Sequence, residues 1–212
     1  MAPRPLTTFE QPIAAAVVRL GTVNFWEFAG FLETPTGPLI EIRTLMRDDA
    51  CDPSPDVHVS ADRGNHIIVH HNHLTQQSLS FPDWDGLGTI FSETFAHCAD
   101  GTVYWGKVVS RSDVLRVRAN GHRVEIDSEN TLFALLGHRP HAANVAHFFR
   151  REVANRAMRI RGFVDYEHCW GSGSTLPYFR PGQPTHGTPA GVLGKLIDQQ
   201  IDVAAQTIAS GL

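Results

Sequence analysis

Along the chain, apolar residues recur in short blocks whose spacing changes from helical to strand-like and back. Pro12–Leu20 carries an apolar stripe behind Thr8, Glu10 and Pro12, which predicts a helix ended by Gly21. Asn24–Leu32 is aromatic and apolar except for Glu27 and predicts a strand. A turn at Pro35-Thr36-Gly37-Pro38 joins it to a second strand, Leu39–Leu45, in a hairpin. Arg47–Pro55 reads as a loop and Val57–Ser60 as a short strand. His66–Val69 has the β-branched content of a buried strand and leads straight into the stretch Val69–Asp83. Beyond the polar connection Thr75–Ser78, the spacing of Trp84, Leu87, Ile90, Phe91, Thr94 and Phe95 predicts a helix over Phe81–His97. Thr102–Ser110 then reads as a strand, and Val114–Arg118 and His122–Ile126 as a hairpin about Asn120-Gly121. Asp127–Leu136 and Asn144–Arg161 read as helices, Tyr166–Pro189 as a long loop, and Gly191–Ile208 as an amphipathic helix.

That order predicts an α/β fold of the mixed, α+β-like kind, with helices packed on a mixed sheet and no strict βαβ alternation. The expected organisation is one domain over residues 1–126 and a helical extension over 127–212, packed on it and interrupted by the loop 166–189. A chain of 212 residues is long enough for one sizeable core. Its three cysteines, Cys51, Cys98 and Cys169, form no C-x-x-C pair, which argues against a disulfide framework and for a reducing compartment. No run approaches the length of a membrane span and no leader pattern is present, so the expectation is a cytoplasmic protein without a membrane partner.

Net charge is −4, unevenly spread: residues 1–106 balance at −8, residues 107–161 at +6 and residues 162–212 at −2. The basic stretch, with Arg150, Arg151, Arg156, Arg159 and Arg161, has two readings. The plain one is a solvated helix face; the other is a nucleic-acid-binding surface, disfavoured on base rates.

The chemistry concentrates in Val69–Asp83. His71 and His73 lie two apart, so on a strand both imidazoles face one side. Two imidazoles and a carboxylate form a usual ligand set for a catalytic zinc, with the fourth position left for water. Ser80 and Asp83 follow at S-x-x-D spacing, which also forms an acidic capping box needing no metal. His58, His66 and His70 read as ordinary strand or surface residues. His168-Cys169 lacks further ligands at usable spacing for a second metal.

In order and spacing these residues resemble the JAB/MPN (JAMM) zinc metalloprotease family, in its bacterial or phage-type form. Glu27-Phe28-Ala29-Gly30-Phe31-Leu32 matches the E-x-x-G-x-L of the family's first strand, and His71-Asn72-His73 its paired histidines. Ser80-Phe81-Pro82-Asp83 matches its S-x-x-D, and Asp100–Tyr104 the strand after the helix. The match spans about residues 9–110, roughly half the chain. Leu74 stands where the family usually has proline, and the His73–Ser80 spacing is one residue short of the commoner form, which leaves Asp85 as a rival ligand to Asp83.

The resemblance implies a curved central mixed sheet flanked by helices, and Zn2+ held by His71, His73 and Asp83. Glu27 would act as general base and then acid, and Ser80 as donor to the oxyanion. The implied activity is that of a zinc-dependent isopeptidase or peptidase, a metallopeptidase acting on a protein substrate such as a conjugate of a ubiquitin-like modifier or its precursor. The non-enzyme alternative is a catalytically inactive scaffold of the same fold. The basic helix and the aromatic-rich loop Tyr166–Phe179 are candidate surfaces for substrate or partner.

Overall fold

The computed structural model describes residues 3–87, 89–139, 141–171 and 192–212. A six-stranded mixed sheet runs in the order β2-β1-β3-β4-β5-β6. Its strands are β1 (Ala29–Leu32), β2 (Leu39–Arg43), β3 (Ile67–His73), β4 (Phe91–Cys98), β5 (Val103–Val108) and β6 (Val164–Cys169). Neighbours are antiparallel except β3 and β4, which pair in parallel. The parallel pair needs a crossover. That crossover runs from His73 through the short helix α3 (Phe81–Gly86) to Phe91. The segment carrying Ser80 and Asp83 is therefore forced back over the sheet face.

Helix α1 (Glu10–Asn24) covers one face, where Gly30 of β1 has no side chain and Ile13 fills the space. The opposite face takes α2 (Pro55–Asp62), α3 and a C-terminal helical layer. Val57 of α2 clusters with Ala29, Phe31, Ile67 and Val69. Trp84 of α3 lies against Gly106, where a Cβ would approach its ring to 2.6 Å. Helices α4 (Arg111–Ala119), α5 (Gly121–Leu136), α6 (Ala142–Ile160) and α7 (Val192–Ala209) complete that layer. Leu132, Phe149, Val153 and Ile201 form the core between α5, α6 and α7. Met158 of α6 joins Tyr104 and Tyr166 in the core beneath it. Each fully buried side chain of this kind contributes about 1.5–3 kcal/mol; α6 packs most extensively on α5 and α7 and less on β6. Helix α5 runs unbroken through residues 126 and 127.

Several local expectations change. Helix α1 continues through Gly21 to Asn24, and β1 begins only at Ala29, so Glu27 lies on the irregular segment between them. Val57–Ser60 is helical: Ser54 and Pro55 provide an N-cap and a first-turn proline, a start signal that outranks the short apolar run. The helix expected over Phe81–His97 ends at Gly86, and Phe91–Cys98 is strand. Residues 94–98 are buried on both sheet faces, and such a run cannot be told from a helix by periodicity. The hairpin about Asn120-Gly121 is instead the junction of α4 and α5. Val114 and Val117 bury at helical spacing, and Gly121 is needed because Phe81 packs against it, 2.8 Å from where a Cβ would stand.

Tyr166–Cys169 belongs to β6 rather than to a loop. Most of the rest of the expected loop, and of the aromatic-rich surface Tyr166–Phe179, lies outside the described residues. Helix α6 is not a solvated face either, since Glu152, Asn155 and Arg156 are buried with its apolar positions. No described helix is long and apolar enough to cross a membrane.

Candidate metal centre

Strand β3 presents alternate residues to opposite faces, and the register fixes which. His71 lies opposite Ala29 of β1 and Ala96 of β4, two small residues that leave room above the sheet. His71 and His73 therefore share the face covered by α3, and their Nε2 atoms approach to 2.9 Å. Asp83, in the first turn of α3, brings Oδ1 to 3.3 Å from His71 Nε2 and Oδ2 to 3.6 Å from His73 Nε2. One ligand atom from each of the three lies within 4.8 Å of the others. Asp85, the rival ligand, is not part of this cluster and pairs with Arg118.

The hydrogen bonds around these side chains select their donor atoms. His73 Nδ1 is 2.8 Å from the Gln77 carbonyl, to which it can only donate, so the neutral ring turns the Nε2 lone pair inward. Thr94 Oγ1 is 3.4 Å from His71 Nδ1 and orients that ring. Two inward imidazole nitrogens at 2.9 Å, with a carboxylate beside them, repel unless a cation or a shared proton lies between them. The donor set, nitrogen with one carboxylate oxygen, suits zinc. The three groups are also coupled electrostatically. Burial pushes the Asp83 carboxyl up, but His71 and His73 outweigh it and hold the group well below its usual range. For His73, burial pulls downward, and Asp83 with Glu27 raises the ring above its ordinary value.

Glu27 and the three candidate ligand residues line the same cleft, of about 730 Å3. Burial raises the Glu27 carboxyl, opposed in part by His71 and His73. Ser80 lines the cleft too, with its backbone N–H and hydroxyl both donating to Asp83 Oδ2, at 2.6 and 2.7 Å. Asp83 therefore closes back on the N-cap of α3 as the plain capping reading requires, while its Oδ1 is directed at His71. Capping and ligand geometry coexist. The same S-x-x-D spacing recurs at Ser110 and Asp113, where the hydroxyl donates to the carboxylate at 2.5 Å at the N-cap position of α4. The motif starts helices; its placement beneath β3 makes a candidate site.

Several supporting residues carry no signal in the linear motif. The connection between His73 and Ser80 is held by the C-terminal layer: Asn155 of α6 donates to Ser78 Oγ and to the Leu79 carbonyl, both at 2.8 Å. Trp84 Nε1 donates to Asn155 Oδ1 at 2.8 Å, Tyr104 donates to the Gln76 carbonyl, and Tyr166 meets Ser78 Oγ. Beneath them Tyr166 donates to Glu152, and Glu152 pairs with Arg156, which also binds Asp198 and Asp202 of α7. His168, which with Cys169 lacks further ligands for a second metal in the sequence, lies against Glu152 and Arg156 in this network.

The arginines weighed for nucleic acid are largely paired: Arg150 and Arg151 with Glu125, Arg156 with three acids, and Arg159 with Glu167. His70, expected to be ordinary, is fully buried on the α1 face, with Nε2 at 3.3 Å from Glu10 and Nδ1 at 3.0 Å from His97. The two-residue period of β3 sends it to the face opposite His71, and the packing of α1 gives it Glu10 as a partner. No family model, curated protein or solved structure matches the chain.

Proposed function

We propose that the protein is a zinc-dependent metallopeptidase of the JAB/MPN type, hydrolysing an isopeptide or peptide bond in a protein substrate such as a conjugate of a ubiquitin-like modifier. The observation that carries this reading is the convergence of His71, His73 and Asp83 donor atoms in a cleft that also holds a buried carboxyl, Glu27. Zinc bound by those three residues would bring a water ligand towards neutral pKa and polarise the substrate carbonyl. Glu27, its pKa raised by burial, suits the exchange of one proton: it takes it from water and returns it to the leaving amine. The Ser80 hydroxyl, donated to Asp83 in the resting arrangement, can turn to the oxyanion that develops on the carbonyl. His73 is held in its ligand tautomer by Gln77, and Asp83 is held by the N-cap of α3. The ligand set thus stays in place while the proton moves.

The test uses zinc-loaded wild-type and Glu27→Gln protein, incubated with isopeptide-linked modifier conjugates and with linear peptides, the new termini being read by mass spectrometry. The expected result is zinc-dependent cleavage by wild type alone. Cleavage by Glu27→Gln at the wild-type rate, or none by either protein, overturns the reading.

A further inference from the structure

The carboxyl assigned as base stands on a segment with little regular structure to hold it. Helix α1 ends with Phe25 in the left-handed region at φ 58°, and β1 begins at Ala29. Between them the backbone of residues 26–28 is gripped by one side chain. Asn72 Oδ1 accepts the Phe28 N–H at 2.8 Å, and its Nδ2 donates to the Trp26 carbonyl at 3.2 Å. These two bonds reach the residues immediately before and after Glu27. A third tie, from Glu27 N–H to the Arg47 carbonyl at 2.6 Å, fixes the outer side.

Asn72 is 3 % exposed and lies between the two metal-ligand histidines, pointing to the opposite face of β3. Both halves of its carboxamide are used, so no other residue of similar size could make the same pair of bonds: Asp lacks the donor, and Leu lacks both groups. Helix α1 closes over it. A Cβ on Gly21 would come within 2.2 Å of Asn72 Nδ2, which accounts for a glycine in the last turn of this helix despite a cost of up to about 1 kcal/mol relative to alanine.

We infer that Asn72 is a positioning residue: by clamping Trp26 and Phe28 it sets the place of the Glu27 carboxyl relative to the metal ligands on its own strand. Base and ligands are then tied to one strand, through the Asn72 side chain and its N–H, which donates to the Phe28 carbonyl at 3.3 Å, while Arg47 holds the outer side. This inference rests on the peptidase reading for its catalytic meaning, while its mechanical part stands on the hydrogen bonds alone. Misplacing a catalytic group by about 1 Å can cost about 100-fold in rate, so the clamp is of the right kind to matter.

The experiment compares wild type, Asn72→Ala and the milder Asn72→Ser, each loaded with Co2+ as a spectroscopic substitute for zinc. The expected result has three parts. The visible cobalt bands and the hyperfine-shifted His71 and His73 ring signals stay as in wild type, because the ligands are untouched. The paramagnetic shift of the 13C-labelled Glu27 carboxyl changes, because its position relative to cobalt has moved. With zinc, kcat falls about 100-fold at nearly constant KM. A second line uses Gly21→Ala, whose effect on kcat should largely disappear in the Asn72→Ala background, where the amide it collides with is gone.

An unchanged Glu27 signal in Asn72→Ala overturns the inference, as does a changed cobalt spectrum, which would place the effect on the ligands. Cobalt binding and a displaced Glu27 signal without any hydrolysis would support the clamp and refute the peptidase reading. Should cobalt not bind, that reading fails, and the diamagnetic Glu27 carboxyl shift with Phe28 amide exchange decides the clamp: altered in Asn72→Ala supports it, unaltered overturns it.

Discussion

Replacing Asn155 by alanine tests whether the C-terminal layer holds the metal-ligand loop. Asn155 is 2 % exposed and makes three hydrogen bonds, to Ser78 Oγ, the Leu79 carbonyl and Trp84 Nε1, each at 2.8 Å. Ser78 Oγ keeps Tyr166 as a partner after the change, so two groups are orphaned: the Leu79 carbonyl and the Trp84 N–H. Each buried orphan costs about 1–3 kcal/mol, which bounds the loss at about 2–6 kcal/mol. Water entering the vacated space brings the expectation to the lower half, about 2–4 kcal/mol. That is a large part of a total stability of about 5–15 kcal/mol. It corresponds to a fall in Tm of about 5–15 °C for a chain of this size.

The orphaned groups flank Ser80 and Asp83, so the loss should also reach the metal. Removing a ligand's own hydrogen-bond partner typically lowers affinity about 10–100-fold; Asn155 contacts the neighbours of Ser80 and Asp83 rather than a ligand, so a loss nearer about 10-fold is expected. Urea unfolding of the metal-free protein gives the stability change, and competition against a chromophoric chelator gives the zinc affinity. A metal-free protein destabilised as expected, with zinc affinity unchanged, would refute the reasoning: α6 would then stabilise the fold without ordering the ligand loop.

Four further outcomes follow from the same contacts. Glu27→Gln should retain zinc while hydrolysis falls at least 100-fold, in the range usual for loss of a general base; metal analysis alongside turnover checks both halves. Gly21→Ala gains about 1 kcal/mol of helix propensity but forces a Cβ within 2.2 Å of Asn72, an overpacking cost of about 1–3 kcal/mol; thermal unfolding should show net destabilisation. Glu152 is pushed up by burial, but His168, Arg156 and Tyr166 hold it down to about 2 against an ordinary 4.5. Its folded pKa lies below its unfolded one, so its contribution is full above pH 4.5 and is lost as pH falls towards 2. Stability of Glu152→Gln, followed by urea unfolding across that window, should lack this dependence. Chelator treatment should abolish hydrolysis by wild type, and added zinc should restore it.

The parts of the site that lie on one element were legible in the sequence. A period of two on β3 is enough to send His71 and His73 to the same side, and S-x-x-D is enough to start α3 with Asp83 in its first turn. The supports were not, because they are made by residues far apart in the chain. Asn72 reads as a spacer between two histidines until the register of β1 on β3 places it beside Trp26 and Phe28. Asn155 and Glu152 read as polar positions on a basic helix, and only the packing of α6 over the crossover shows that they face inward. The helix expected over Phe81–His97 overruns β4 for a related reason: residues 94–98 are buried on both faces and leave no exposed side to betray the strand period. The glycines at 21 and 121 are explained by what lies across from them, Asn72 and Phe81, which no local rule contains.

The central claim is that His71, His73 and Asp83 form one zinc site. Chelator competition on wild type, His71→Ala, His73→Ala and Asp83→Ala tests it most directly. One tightly bound zinc per wild-type chain is expected, and a large loss of affinity in each variant with the fold retained. Wild-type binding no tighter than that of the His71→Ala variant would contradict it.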